Sequence, residues 1–239
     1  MADLNDKVFI VTGATGSLGQ VVARTLWGAG AKLALVDRTA ESRFQEVFPD
    51  MVDSPACSFA HDTDLTQEEA VAEMVAHVLQ RYGRIDGLVN IAGGFHSGEP
   101  VHETPLEVWD KMLGINALTT FLTSRAVLPH MIEQGYGKVV NIGGRVALEG
   151  KKNMAAYSVG KTAVLRLTES MSAEVKGHGV NVNCILPGTI DTPANRQAMP
   201  NADFSRWVQP EALADVILFL VSDAARAIHG AAIPVYGLT

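Results

Sequence analysis

The sequence predicts an α/β domain built on a doubly wound parallel sheet of about seven strands with helices on both faces. Short apolar runs alternate along the chain with longer stretches of helical periodicity, and the first apolar run ends in a glycine-rich turn. A chain of 239 residues is long enough to bury one large hydrophobic core. We therefore expect a single domain over residues 1–239.

Composition favours a globular protein that acts on small molecules. The chain is 47% hydrophobic, and 19 Lys and Arg against 26 Asp and Glu give a net charge of −7. Without a run of basic residues, this balance disfavours nucleic-acid and membrane partners. No signal-peptide pattern or bilayer-length apolar run is present, so we expect a cytoplasmic protein. Two cysteines, Cys57 and Cys184, and seven histidines lack metal-ligand spacing, which predicts no metal site.

The first predicted elements are a strand, a glycine turn and a helix. Residues 8–11 are apolar and lead into Thr12-Gly13, a helix follows around residues 21–26, and residues 32–36 form a second buried strand. This order predicts a right-handed βαβ unit. An amphipathic helix comes next, preceded by a T-x-x-E capping box at Thr66 and Glu69.

The same alternation continues to the last residues. Strands are predicted at 87–91, 138–142 and 180–185, separated by helical stretches around 106–134 and 155–176. Residues 231–236 form the last predicted strand, and Pro234 within it indicates a sheet edge or a bulge. Such sheets bind ligands at the carboxyl ends of their strands, where the glycine turn lies.

The glycine turn predicts a dinucleotide site of the Rossmann type. Gly13, Gly16 and Gly19 lie between the first strand and its helix, where a backbone without side chains can approach a pyrophosphate. Asp37 ends the second strand, 18 residues beyond Gly19, near the spacing expected of a carboxylate that binds the adenosine ribose. Because a carboxylate repels a 2′-phosphate, the predicted cofactor is NAD, and Arg38 beside it leaves NADP open.

Several further motifs, in one order along the chain, resemble those of the short-chain dehydrogenase/reductases, and the likeness covers essentially the whole sequence. They are Y-x-x-x-K at Tyr157 and Lys161, N-x-A-G at residues 90–93, D-(L/V)-T at residues 64–66 and a P-G segment at residues 187–192. The resemblance implies an NAD(P)H-dependent oxidoreductase with Tyr157, Lys161 and Asn116 as catalytic residues. With the glycine turn, the implied cofactor-binding residues are Gly13, Thr15, Gly16, Ser17, Leu18, Gly19, Asp37, Arg38, Asp64, Leu65, Asn90, Ala92, Gly93, Tyr157, Lys161, Pro187, Gly188, Thr189, Ile190 and Thr192.

The physics of the Y-x-x-x-K pair agrees with this assignment. Residues four apart share one helix face, so Tyr157 and Lys161 are expected to lie together. The ammonium is then expected to lower the pKa of the phenol from about 10 toward a value useful for proton transfer.

Two departures from the commoner pattern resemble the quinonoid dihydropteridine reductases, a branch of the same family. Gly144 stands 13 residues before Tyr157, where the family usually has a serine, and Ser17 stands where the turn usually has a glycine. The likeness continues at residues 91–95, 147–150, 191–196 and 199–207. It implies NADH-dependent reduction of a quinonoid dihydropteridine beneath a loop around residues 190–209. The implied substrate-binding residues are Phe95, Gly144, Met154 and Asn195.

Two alternatives remain open. The substrate of the enzyme could be another small carbonyl or alcohol, with Asn116 and a water molecule in place of the family serine. The chain could also be a catalytically silent NAD-binding protein, because the serine is absent. The family resemblance further implies a homodimer or homotetramer, formed through the helices around residues 106–134 and 155–176.

Overall fold

The computed structural model of the protein describes residues 3–239. Within these residues, seven strands form one sheet. The strands run in the spatial order β3-β2-β1-β4-β5-β6-β7, and each neighbouring pair is parallel. The predicted doubly wound parallel sheet is therefore confirmed. The strands are β1 (Val8–Thr12), β2 (Lys32–Val36), β3 (Cys57–Ala60), β4 (Gly87–Asn90), β5 (Gly137–Ile142), β6 (Val180–Pro187) and β7 (Ala232–Val235).

Helices cover both faces of the sheet because the strand side chains alternate between two apolar clusters. Phe9 and Val11 of β1 pack with α1, α2 and α8, whereas Val8 and Ile10 pack with α3, α5 and α6 on the opposite face. The helices are α1 (Ser17–Gly28), α2 (Glu41–Val47), α3 (Glu68–Tyr82), α4 (Leu106–Leu113), α5 (Thr119–Gln134), α6 (Ala155–Val175), α7 (Pro193–Ala198) and α8 (Pro210–Val221).

One edge strand of the sheet confirms a prediction from the sequence, and the other is a strand that the sequence did not predict. β7 is an edge strand, as Pro234 indicated, so the missing N–H of this proline costs no bond to a further strand. The opposite edge is β3, whose four residues carry no clear alternation and were not identified as a strand from the sequence.

Two helical details differ from the sequence prediction. The helical stretch over residues 106–134 contains a π-helical turn, Gly114–Leu118, between α4 and α5. The capping box at Thr66 and Glu69 does not form, because α3 begins only at Glu68 and the Thr66 hydroxyl donates to the Asp64 carboxylate at 2.7 Å. Within residues 3–239, no helix is both long and apolar enough to cross a membrane.

Candidate active site

A cleft of about 390 Å³ lies beside the glycine turn, at the carboxyl ends of β1, β2 and β4. Its position agrees with the predicted ligand site. Twelve of the predicted cofactor-binding residues line the cleft, namely Gly13, Thr15, Gly16, Ser17, Leu18, Gly19, Asp37, Arg38, Asp64, Leu65, Ala92 and Gly93.

The backbone of the glycine turn leaves room for a pyrophosphate. Gly13 has a φ of 63°, and a β-carbon there would come within 2.9 Å of the Ala92 backbone. A β-carbon on Gly19 would overlap the Gly13 carbonyl oxygen. The turn leads directly into α1, whose first N–H groups have no partners within the helix and attract anions. These features fit NAD.

Asp37 is fixed at the edge of this cleft by three donors. The N–H and the hydroxyl of Thr15 both donate to Asp37 Oδ2, at 3.0 and 2.7 Å. The N–H of Arg38 donates to Asp37 Oδ1 at 2.7 Å. The carboxylate is therefore oriented, half-buried and able to accept a further hydrogen bond from a ribose hydroxyl.

Asp64 is the second acidic residue of the cleft. Its Oδ1 accepts hydrogen bonds from the N–H of Thr66 at 3.0 Å and from the Thr66 hydroxyl at 2.7 Å. These donors lower the pKa of Asp64 below its ordinary value, so the carboxyl stays ionised at neutral pH.

Asn90, a predicted cofactor-binding residue, supports the sheet with its side chain and is not among the residues that line the cleft. Its Nδ2 donates to Asn141 Oδ1 at 2.9 Å and to Ser124 Oγ at 3.2 Å, and its Oδ1 accepts from Thr123 at 2.8 Å. These buried bonds join β4, β5 and α5. The side chain therefore holds the strand ends together beneath the site.

Tyr157 and Lys161 lie on the first turns of α6, and burial changes the pKa of both. Lys161 Nζ donates to the Ile142 carbonyl at 2.9 Å, and burial lowers its pKa to about 8. Burial also raises the pKa of Tyr157 above its ordinary value. The expected lowering of the phenol pKa by Lys161 is therefore wrong for this structure, since desolvation of the phenolate dominates.

Gly144 faces the oxygen of Tyr157. A β-carbon on Gly144 would lie 3.6 Å from Tyr157 Oη and 4.0 Å from Lys161 Cγ, which is ordinary van der Waals contact. Its φ of 170° is extended and open to any residue type. Neither space nor conformation therefore requires a glycine, and the structure leaves this wall of the site without a hydroxyl.

Asn116 belongs to the π-helical turn and clamps the loop that follows β4. Its Nδ2 donates to the carbonyls of Gly94 at 3.1 Å and Met112 at 2.9 Å, and its Oδ1 accepts from the Gly94 N–H at 3.3 Å. A β-carbon on Gly93 would lie 2.7 Å from Asn116 Oδ1 and 3.4 Å from Lys161 Nζ. The clamp thus positions this loop beside Lys161.

Phe95 is a second predicted substrate residue, besides Gly144, that the structure places against Tyr157. The Phe95 and Tyr157 rings meet at 80° with 5.0 Å between their centroids, and Phe95 is 61% exposed. Met154 is the N-cap residue of α6, three positions before Tyr157. Asn195 on α7 instead donates from Nδ2 to the Ile190 carbonyl at 2.8 Å, so its amide nitrogen holds the surrounding loop together.

The segment after β6 carries the remaining predicted cofactor residues. Pro187 ends β6, and Gly188, Thr189, Ile190 and Thr192 follow it; none of these five residues lines the 390 Å³ cleft. The N–H of Gly188 donates to the β7 residue Val235 at 2.9 Å. Thr192 caps α7 by accepting from the Asn195 N–H at 3.1 Å.

Side chains tie the predicted covering loop, residues 190–209, to itself. Arg196 makes a bidentate pair with Asp191, at 2.6 and 2.7 Å, and Gln209 donates to Asp191 at 3.0 Å. These two partners lower the pKa of Asp191 to about 2. Arg196 also lies over the Phe204 ring, 4.8 Å from its centroid. The loop is therefore an ordered structure.

The predicted cofactor-binding set lacked five residues that line the cleft, namely Thr63, Thr66, Ile91, Ile115 and Thr119. Thr66 and Ile91 lie within the D-L-T and N-x-A-G motifs, although neither was assigned a role from the sequence. Ile115 flanks Asn116, and Thr119 begins α5 directly after the π-helical turn. Their helical phase depends on that turn, for which the sequence carries no recognised signal. Thr63 directly precedes the D-L-T motif, so its place in the sequence next to that motif could have identified it as a cleft residue.

Comparisons with known proteins agree with this geometry. The family profile for short chain dehydrogenase matches residues 7–203. The 2-(S)-hydroxypropyl-CoM dehydrogenase 3 of Xanthobacter autotrophicus is 33% identical over 98% of this chain and 96% of its own length. The inactive 2-(S)-hydroxypropyl-CoM dehydrogenase 2 of that organism is 36% identical over 90% of this chain and 98% of its own. The crystal structure of NAD⁺-bound xylitol dehydrogenase matches with a TM-score of 0.89 at 28% identity, over 98% of this chain and 99% of that one. The chain belongs to the short-chain dehydrogenase family.

Proposed function

We propose that this protein is an NADH-dependent reductase of a small, flat, conjugated acceptor, with a quinonoid dihydropteridine as the substrate class. The observation that carries the proposal is the wall opposite Tyr157, where Gly144 offers no hydroxyl to a substrate carbonyl. The exposed ring of Phe95 beside Tyr157 offers a conjugated ring an aromatic contact instead.

In this proposal, residues of α6 donate the proton and bind the cofactor. Bound NADH supplies the hydride. Tyr157 donates the proton, because its raised pKa keeps the phenol protonated at neutral pH. Lys161, whose pKa is about 8, is mostly an ammonium at neutral pH and binds the nicotinamide ribose. Asn116 orders the Gly93–Gly94 backbone beside Lys161 through its bonds to Gly94.

The predicted cofactor residues take distinct roles. The glycine turn and the N-terminus of α1 bind the pyrophosphate, Asp37 accepts from the adenosine ribose, and Asp64 and Leu65 line the adenine end. The segment at residues 187–192 would hold the nicotinamide end of the cofactor. The loop at residues 190–209 covers the substrate, with Met154 and Asn195 near the pocket.

A second candidate function is oxidation of a small secondary alcohol or reduction of the matching ketone. The name of the 33% identical relative, 2-(S)-hydroxypropyl-CoM dehydrogenase 3, supports it. In this case Asn116 and a water molecule replace the family serine. The third hypothesis is a catalytically silent NAD-binding protein. It is supported by Gly144, which stands in place of the family serine, and by the 36% identical relative that is named inactive.

The test is a substrate panel of quinonoid dihydropterins, small ketones and secondary alcohols, run in parallel with NADH and NADPH. Dihydropterin turnover with NADH supports the proposal. Turnover of ketones or alcohols alone selects the second function, and tight NADH binding without any turnover selects the third. Tyr157→Phe should lower turnover by about 10²–10⁴-fold with nearly unchanged NADH affinity.

We also propose that the protein assembles with further copies of itself, as a homodimer or homotetramer. Within residues 3–239, six of the twelve exposed large apolar side chains lie on α4, the π-helical turn, α5 and α6, the helices through which the family resemblance implies assembly. Mass measurement by light scattering, with the parent and Phe121→Glu compared, tests this arrangement. These exposed side chains are Leu106, Trp109, Leu118, Phe121, Ile132 and Val159.

A further inference from the structure

We propose that Thr15 is a positioning residue that holds the Asp37 carboxylate in one orientation and thereby sets the preference for NADH over NADPH. The inference rests on the proposed function, in which Asp37 binds the adenosine ribose. It assigns the discrimination to a pair of side chains, one in the glycine turn after β1 and one directly after β2, and not to the carboxylate alone.

The first step is the number of donors on Asp37. Thr15 gives two hydrogen bonds to Oδ2, from its N–H at 3.0 Å and its hydroxyl at 2.7 Å. Arg38 gives one N–H bond to Oδ1 at 2.7 Å. An ionised carboxylate has about four acceptor sites, so the open site lies on Oδ1. This oxygen is the one left to accept from a ribose hydroxyl.

The second step separates the side chain of Asp37 from its backbone. The backbone is held independently, because the Asp37 N–H donates to the Ala60 carbonyl at 3.1 Å and the Asp37 carbonyl accepts from the Thr63 N–H at 3.1 Å. The glycine turn is also joined to β2 by a bond from the Ala14 N–H to the Val36 carbonyl at 3.2 Å. Loss of the Thr15 hydroxyl therefore leaves the strand end in place and removes one of the three donors that orient the carboxylate, while the N–H bonds from Thr15 and Arg38 remain.

The third step is the consequence for the two cofactors. A fixed carboxylate presents an acceptor to the 2′-hydroxyl of NADH and a like charge to the 2′-phosphate of NADPH. A carboxylate without the hydroxyl bond is held less firmly, so it must be ordered further when NADH binds and turns away more easily when NADPH binds. The Thr15 hydroxyl thus favours NADH and disfavours NADPH through the same contact.

The experiment measures the dissociation constants of NADH and NADPH by fluorescence titration. Thr15→Val keeps the N–H bond and the side-chain shape but removes the hydroxyl, and it should reduce the NADH preference about tenfold, the value of one charge-assisted hydrogen bond. Thr15→Ser should retain the parent preference. Thr39→Val removes a neighbouring hydroxyl that makes a long hydrogen bond of 3.5 Å to the Thr15 hydroxyl and none to Asp37, so it should change the preference less than Thr15→Val does.

A double-mutant cycle separates this inference from the assignment of Asp37. In an Asp37→Ala background, Thr15→Val should no longer change the ratio of the two constants. If Thr15→Val weakens both cofactors equally, Thr15 supports the turn only and the inference is overturned. If the parent has no preference for NADH, the role of Asp37 in the proposed function fails instead. Should Thr15→Val lower the melting temperature strongly, Thr15→Ala must give the same loss of preference.

Discussion

The rings of Phe95 and Tyr157 meet almost at right angles, with 5.0 Å between their centroids, although Phe95 is 61% exposed. An exposed aromatic ring that contacts Tyr157, the proposed proton donor, can bind a flat substrate. Phe95→Ala should therefore raise KM for the acceptor about 2- to 10-fold, the range expected for one aromatic pair.

Steady-state kinetics would check this prediction with Phe95→Trp as the conservative variant, which should keep KM near the parent value. The dissociation constant of NADH should be the same in all three proteins. An unchanged KM in Phe95→Ala would remove Phe95 from the substrate pocket.

Buried Lys161 predicts a pH-dependent stability. Its pKa is about 8 in the folded protein, below the ordinary value of 10.5. Between these two pH values the unfolded chain binds more protons than the folded one, so the free energy of unfolding rises with pH. Relative to Lys161→Met, the parent should gain about 3 kcal/mol across this window.

Urea unfolding of the cofactor-free proteins at pH 8, 9, 10 and 10.5 would measure this difference. Groups that titrate alike in both proteins cancel in the comparison. Parallel stability curves for the parent and Lys161→Met would mean that the ammonium is better solvated than its burial indicates.

The Asp191–Arg196 ion pair is expected to keep the loop at residues 190–209 in one conformation. Asp191 accepts from Arg196 and Gln209, and both contacts depend on its charge. Asp191→Asn should loosen the loop and speed tryptic cleavage after Arg196 and Arg206, and it should raise KM for the acceptor more than the dissociation constant of NADH. Asp215→Asn, an exposed acid on α8, is the control. Equal cleavage rates in the two variants would show that the pair does not order the loop.

The sequence predicted the cofactor half of the site better than the substrate half. Gly13 and Asp37 follow strands at a recognisable spacing, so the pattern alone located the cleft. The π-helical turn around Asn116 has no comparable pattern, because it depends on packing between α4, α5 and α6. The raised pKa of Tyr157 likewise follows from burial in three dimensions, which the i, i+4 spacing to Lys161 cannot report.

A substitution at Gly144 distinguishes the two proposed enzymatic functions, dihydropteridine reduction and ketone reduction. Gly144→Ser places a hydroxyl beside Tyr157 Oη, since the β-carbon would already lie 3.6 Å away, and the extended φ of 170° accepts serine without strain. A ketone develops negative charge on oxygen as hydride arrives, and one added donor there stabilises the transition state by about 3 kcal/mol. A dihydropterin develops its charge over ring nitrogens. Gly144→Ser should therefore leave dihydropterin reduction unchanged or lower, and create weak activity on simple ketones.

Gly144→Ala is the matched control for this prediction, because it adds the same β-carbon without the hydroxyl. Any loss of dihydropterin turnover common to both variants then measures crowding, and any ketone activity confined to Gly144→Ser measures the donor. The melting temperatures of both variants should stay close to that of the parent, since a β-carbon makes only ordinary contacts here. If folded Gly144→Ser reduces dihydropterin many-fold faster than Gly144→Ala and the parent, the substrate needs the missing hydroxyl, and the dihydropteridine assignment loses the observation that carries it.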